Sequence, residues 1–387
     1  MKASCEFQDQ NSGIETFDSK TTASTTGQIK HIRSAMAETT APSALSFSRE
    51  TFAKLSPSPF LLAHLKPTTS SGTAVRPSGR APLEFRTPSI NTGSLNHSNG
   101  SAVVRVGNTA VVCGVRAEVL RVQDIPRPYR TTISTSADPL QEAQSQAQRS
   151  QTGGREMEEL GLLVPNLELS TGCSPQHLPG NAPGTQAQSL SQRLLNLLHA
   201  SELIKIEDLR IQYTEPATED QEERVVTKAY WTLYLDVLVM SLDGNAFDAA
   251  WGAVVAALRD AKIPAAKWEP DFERVVASPE VNQSKRLDLR GLPIASSFVV
   301  FTTADPMKDR KEAENWIIAD PDGFEEELCR EGVTVVVTPK RDDGSGGVVK
   351  IEKSGGGVLD VARMKELVGL AMDRWSDWEG LLREAEG

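Results

Sequence analysis

Two aspartates and a set of arginines are the side chains whose type and spacing could do chemistry. Asp236 lies inside an apolar stretch, and Asp243 follows in the turn Asp243-Gly244-Asn245. Carboxylates placed this way can hold a divalent cation or act as an acid. Each also has a plainer reading. Asp243-Gly244-Asn245 reads as a tight turn with Asn as a helix cap. Asp236 reads as a satisfied buried carboxylate that anchors a neighbouring loop. The arginines are Arg76, Arg80, Arg86, Arg105 and Arg116. On an exposed face, they would neutralise phosphate groups without reading sequence. Lying on a sheet surface, some would instead pair with Glu84 and Glu118.

Other chemistries find little support. Cys5, Cys113, Cys173 and Cys329 are far apart and form no CxxC pair, so neither a zinc site nor a disulfide framework is expected. The histidines have no metal-ligand spacing, and His97 in a turn reads as solvated. Gly355-Gly356-Gly357 lacks a following Lys-Ser or Lys-Thr and reads as a strand–helix joint, not a phosphate loop. No metal and no cofactor are expected.

The elements that must position these residues fit a globular body. The chain has 387 residues, 39% of them hydrophobic, and a formal charge of −11. That balance argues against strong nucleic-acid binding by the lone chain, because phosphate binders draw their affinity from Lys and Arg. It leaves room for a small basic patch. No apolar run approaches the ~18 residues of a membrane span. Glu6, Asp9, Glu15 and Asp18 argue against a secretory signal and weaken a mitochondrial one.

Residues 1–44 are rich in Ser, Thr, Gln and Ala and read as a disordered tail. Residues 45–82 read as an N-terminal helix, capped by Ser58 ahead of Pro59, and a Pro/Ser/Thr/Gly linker. Strands follow over Phe85–Thr92, Ser101–Val106 and Thr109–Val119, with a turn over Asn96–Gly100, in which Asn99-Gly100 is a hairpin signal, and another at Gly107-Asn108. Residues 124–159 read as a long, mobile insertion. A short apolar segment, Leu162–Leu169, precedes an amphipathic helix from Gln186 to Ile204, on whose polar face Arg193 is solvated. After the acidic loop Glu215–Glu223 come a strand, Ala229–Leu242, and a small-residue helix, Ala246–Leu258. The last third holds strands near Ala295–Thr302, Asn315–Ile318, Val333–Val337 and Val348–Ile351, then a helix from Val358 to Glu384. The fold class is α+β, with domains at 83–260 and 285–387.

Several runs carry a family resemblance. Arg76-Pro77-Ser78-Gly79-Arg80 resembles the RPDGR signature that opens RNase PH domains. Asn99-Gly100-Ser101-Ala102-Val103-Val104-Arg105-Val106-Gly107-Asn108-Thr109 resembles the family's hairpin, and Val112-Cys113-Gly114-Val115 continues it. Leu163–Leu169, the run from Leu235-Asp236-Val237 to Asp243-Gly244-Asn245, and Asp248-Ala249-Ala250 resemble the family's ring subunits in the eukaryotic RNA exosome. In this order they cover roughly residues 76–375.

The resemblance implies an RNase PH-like fold, with a ribosomal-protein-S5-like βαβα lobe and a C-terminal lobe. It implies a ring of homologous subunits, S1/KH caps, an associated hydrolytic exoribonuclease and threaded RNA as partners. It further implies roles in ribosomal RNA 3′-end maturation and messenger RNA turnover, in nucleus, nucleolus and cytoplasm. Active members are phosphorolytic and carry an arginine-bearing motif at the middle helix and a DGGTR turn. Here no arginine occurs from Pro175 through Gln192, and Asn245-Ala246-Phe247 follows Asp243-Gly244. Losing a positioned arginine costs ~10³–10⁵ in phosphoryl chemistry. Asp236 and Asp243 are therefore expected to be remnants of a degenerate site in a non-catalytic, RNA-guiding subunit. The alternative is an active phosphate-dependent 3′–5′ exoribonuclease. Ser78 stands where the signature has aspartate, which weakens the carry-over for Arg80.

Overall fold

Alternation of side chains builds the first sheet. In β6 (Arg224–Ser241), Leu233, Leu235, Val237 and Val239 point into the core while Asp236, Leu238 and Met240 point outward. The structure, a computed structural model, describes residues 47–66, 73–126, 153–175, 177, 184–217, 223–303, 314–339, 347–356 and 359–386. The expectation of a disordered tail over 1–44 lies outside them, as does residues 127–152 of the expected insertion. Arg49–Gly387 forms one unit; Met1–Ser48 forms another, of which Phe47 and Ser48 alone are described.

Around β6 the sheet runs in the order β1-β2-β3-β6-β4, with β1 at Pro88–Thr92, β2 at Gly100–Val106, β3 at Thr109–Arg121 and β4 at Leu163–Leu169. β4 is parallel to β6, and β5 (Arg210–Glu215) pairs antiparallel with the start of β6. Gly107-Asn108 closes the β2–β3 hairpin, Gly107 having φ +60. The turn expected over Asn96–Gly100 lies in the β1–β2 connection and ends at Asn99. Gly100 already lies in β2, and its missing Cβ makes room for the backbone of Ala261, whose N would lie 2.5 Å from that atom.

A second sheet, in the order β12-β11-β13-β14, is antiparallel throughout. Its strands are β11 Ile294–Thr302, β12 Asn315–Ala319, β13 Glu331–Thr338 and β14 Gly347–Ser354. Two short ladders lie between the sheets in sequence. One pairs β7 (Lys262–Ile263) with β10 (Lys285–Arg286); the other is the hairpin of β8 (Ala266–Glu269) and β9 (Arg274–Ala277).

Helices join the layers. Two short ones, α1 (Arg49–Leu55) and α2 (Pro57–Leu65), open the unit. Ser56, not Ser58, occupies the N-cap of α2, ahead of Pro57. Residues 153–159 form a helix, α3, with Glu156 and Met157 buried, so this part of the expected mobile insertion is ordered. Its one apolar anchor, Met157, was too weak a signal among charged neighbours. Helix α4 (Thr185–Ser201) buries Leu190, Leu194, Leu197 and Leu198, the 3.6-residue stripe expected of it; the single turn α5 (Ile206–Leu209) follows.

The alanine-rich helix α6 (Ala246–Asp260) is buried from Ala246 to Leu258 and packs on β2, β3 and β11. Helix α7 (Gly323–Leu328) starts with a capping box between Asp322 and Glu325. Helix α8 (Val361–Glu386) packs on β1, β11 and β13. Its Trp378 fits against Gly252 of α6, where a Cβ would come within 2.6 Å of the indole. α6 and α8 thus tie the two sheets into one body.

Candidate functional site

The turn that ends β6 is where the sequence places the remnant chemistry. Thr109 pins it: its hydroxyl donates to the Gly244 carbonyl at 2.8 Å and accepts from the Asp243 amide at 3.0 Å. Gly244 takes φ +70, and a Cβ there would meet the Pro321 carbonyl at 2.5 Å, so the turn is pressed against the loop before α7. Both carboxylate oxygens of Asp243 are engaged. One accepts from the Gly323 amide at 3.2 Å and the other from the Asn108 side chain at 3.1 Å. Asp243 is therefore a joint between β6 and α7.

Asn245 holds the N-cap position of α6 in a left-handed conformation, φ 50, but its side chain does not cap the helix. Its amide donates to Asp248 at 2.9 Å and to Asp320 at 2.6 Å. The expected Asn cap is thus corrected: two buried carboxylates draw the amide away from the helix end. A different carboxylate sits there, since Glu326 accepts from the Asn245 backbone N–H at 3.0 Å. Burial pushes the Glu326 carboxyl above its ordinary range, and the Asn245 amide offsets this in part.

Asp236 is not the buried anchor that its apolar strand suggested. It lies on the outer face of β6 with its side chain 48% exposed, 3.9 Å from Arg116 and 3.4 Å from the Asn166 amide. Period-2 alternation turned it outward, opposite Leu235 and Val237.

The arginines divide into two groups. Arg76 is buried. Its guanidinium meets Glu325 through Nε at 2.8 Å and Nη2 at 2.5 Å, and also donates to the carbonyls of Ala319 and Asp320. The expectation that Arg76 faces RNA is corrected, because no N–H face of it reaches solvent. Arg86 is likewise committed. It donates to both oxygens of Asp320 at 2.8 Å and to the Asp243 carbonyl at 2.9 Å. Arg80 stands on the rim, 3.3 Å from Asp320 with 14% of its side chain exposed.

Arg105 and Arg116 are exposed. Among the described residues, Arg105 donates to the Gly107 carbonyl, at 2.9 Å, and to no other group. Arg116 pairs with Glu118 at 3.3 Å and lies 5.1 Å from the Tyr234 ring centre. The expected pairing of an arginine with Glu118 is thus present. Glu84 instead takes the Ala81 amide on its carboxylate.

Asp320 is the residue that sequence reasoning missed. It is fully buried, in a left-handed conformation (φ 46), and collects Arg86, Arg80 and Asn245. Burial raises its pKa, but the hydrogen bonds and charge of Arg86, with Arg374 and Asn245, outweigh that and hold it well below the usual carboxylate range. Arg374 in turn meets Asp248 at 2.5 Å and stacks 4.5 Å from the Phe85 ring centre. No local pattern marks these partners; for α7 alone, the Asp322…Glu325 capping box was readable.

Arg193 is a further correction. It is not solvated on the polar face of α4. It packs 3.8 Å from the Phe247 ring centre and donates to Glu352 at 2.9 Å and to Thr334 at 3.1 Å. Burial raises the Glu352 pKa, but Lys350 and Arg193 more than offset it and leave it below normal. Arg86, which bonds the Asp243 carbonyl, and Arg193, which packs on Phe247, are each met by a carboxylate of this chain.

Comparison with known proteins bears on the family and the fold. Residues 84–264 match the model of the 3′ exoribonuclease family (RNase PH), domain 1. The exosome complex component rrp43 of Schizosaccharomyces pombe is 30% identical over 331 residues, covering 86% of this chain and 97% of the relative. The exosome complex component Rrp42 of Methanothermobacter thermautotrophicus is 28% identical over 76% of this chain and 85% of its own. Among solved structures, a chain of the Archaeoglobus fulgidus exosome with RNA bound to the active site has a TM-score of 0.54 at 21% identity, covering 85% of this chain and 97% of that one. An archaeal exosome core chain has a TM-score of 0.52 at 21% identity, covering 87% and 99%. The two-sheet architecture is therefore an RNase PH-like fold, and the chain belongs to the RNase PH family.

Proposed function

We propose that the chain is a non-catalytic, RNA-guiding subunit of an RNA exosome core ring, supporting 3′–5′ RNA processing and degradation. One observation supports the reading: the charged groups at and around the remnant turn are already engaged by other groups of this chain. Asp243 gives both oxygens to Asn108 and Gly323, Arg86 is tied to Asp320, and Arg193 to Glu352. Glu326 already accepts the Asn245 N–H at the start of α6. Helix α4 opens on Gly184, with no arginine nearby in the sequence to receive an attacking phosphate. The relatives' names support a place among exosome subunits.

In this reading the partners are other RNase PH-like ring subunits, S1/KH caps, an associated hydrolytic exoribonuclease and threaded RNA. Arg105 and Arg116, with Arg80 at the rim, are the phosphate contacts. The locations that go with it are nucleus, nucleolus and cytoplasm, which imaging of the tagged chain tests. For activity, the purified chain is incubated with labelled RNA and inorganic phosphate. No nucleoside diphosphate is expected; its release would establish the phosphorolytic alternative. For assembly, affinity purification of the tagged chain is expected to recover homologous ring subunits, and their absence would overturn the ring assignment.

A further inference from the structure

The β8–β9 hairpin carries a feature that neither the fold nor the remnant site uses. Its connection, Pro270–Phe272 and Glu273, holds Phe272 with 66% of its surface exposed. Val276 on β9 is 42% exposed, and Val281, just beyond the hairpin, is 75% exposed. The hairpin does not hang free. Ala266 and Val275 pack against the main core. Lys228 of β6 ties it down from the other side, bonded to Glu215 of β5 at 2.8 Å and 5.9 Å from the Trp268 ring centre. A firmly based hairpin thus presents a large aromatic ring to solvent, where burial against a partner would recover the hydrophobic free energy that exposure forgoes.

The charges around Phe272 decide what kind of partner fits. Arg274 lies 4.8 Å from the Phe272 ring centre, but its charge is matched by Glu269 at 3.0 Å. Asp271 and Glu273 flank Phe272 on either side and have no ion pair among the described residues. The tip therefore carries uncompensated negative charge around an apolar centre. Nucleic acid would be repelled there, since its binding rests on unpaired cations. A surface with an apolar pocket and a lysine or arginine rim would satisfy both the ring and the two carboxylates.

We propose that the β8–β9 tip is a protein-docking element, with Phe272 as its anchor and Asp271 and Glu273 as its charge complement, for a partner chain that offers an apolar pocket rimmed by basic side chains. This goes beyond the ring reading and stands independently of it.

A photo-crosslinking phenylalanine analogue at position 272, in the full chain within its native assembly, tests this. The expected product is one polypeptide adduct, whose sequenced crosslinked segment places lysine or arginine around apolar residues. With that partner purified, Phe272→Ala and the double variant Asp271→Lys/Glu273→Lys should each weaken binding at least about tenfold. The exposure of all three positions predicts thermal midpoints within about 2 °C of the parent, which confirms folding. An RNA adduct, a second copy of the same chain, an acidic crosslinked segment, no adduct, or unchanged binding by the variants would each overturn the proposal. Recovery of ring subunits is scored in the same preparation, so loss of the ring and loss of the hairpin partner are separate results.

Discussion

Arg76 and Glu325, 249 residues apart in sequence, face each other as a buried two-point ion pair with no exposed side-chain surface. The pair joins the segment before β1 to α7. Removing one member leaves a lone buried charge, which typically costs ~3–5 kcal/mol. Arg76→Met or Glu325→Gln is expected to lower unfolding stability by about that much in urea titrations. The double variant Arg76→Met/Glu325→Leu should recover part of the loss, because it buries no unpaired charge. Equal losses in single and double variants would contradict this.

Asp320 sets the acid limit of the same region. Its folded pKa is depressed, chiefly because Arg86 and its neighbours outweigh burial. A depressed carboxylate contributes stability above its unfolded value, ~3.9, and loses it as pH falls through that value toward the folded one. Asp320→Asn keeps a residue that tolerates a left-handed backbone but removes the charge. The variant should be less stable near neutral pH by about 3 kcal/mol. Its stability should also fall less steeply than the parent's as the pH is lowered below about 4. Parallel pH curves for parent and variant would show that Asp320 is not the linked group.

Much of the fold was legible in the sequence, and the reason is periodicity. The β1–β3 meander announced itself by alternation, and α4 by its leucine stripe. The start of β6 was hidden, because Arg224, Thr227 and Lys228 break the apolar run and are held by pairing with β5 instead. The site was far less legible. Asp320, Asp248, Glu325 and Arg374 find partners across long sequence separations, and no spacing rule connects them. The same long-range pairing is why Arg76 and Arg86, which look alike with Arg105 and Arg116 in sequence, serve different ends.

Gly244 and Gly161 separate backbone strain from crowding. Both have positive φ, +70 and +61, but a Cβ at Gly161 has nothing within 4 Å, whereas at Gly244 it meets the Pro321 carbonyl at 2.5 Å. Gly161→Ala is expected to cost only the left-handed strain, ~1–2 kcal/mol. Gly244→Ala should cost at least ~1 kcal/mol more, because the loop before α7 must also move. Thermal unfolding of the two variants side by side checks the difference.

Of the five arginines that the sequence singles out, Arg105 and Arg116 are the exposed ones, and each contact to a phosphate would release counterions. In the assembled ring, Arg105→Glu and Arg116→Glu are each expected to weaken RNA binding and to reduce the slope of log affinity against log salt by about one. Arg76→Met, assayed where the assembly stays folded, should leave that slope unchanged. Anisotropy titrations of a labelled oligonucleotide across a salt series give the slopes. An unchanged slope in the glutamate variants would remove these arginines from the RNA path.

Helix α8 closes the core of the first sheet. Trp378 and Leu382 complete the core that β1–β6 and α6 begin, Arg374 neutralises Asp248, and Thr92 bonds to the Ala385 carbonyl at 2.9 Å. Without α8, Asp248 keeps Asn245 and Ser297 but loses its guanidinium partner, and the groove over Gly252 stands open. The first sheet's core is thus closed by a helix that follows the second sheet in sequence, which couples the two sheets into one cooperative unit.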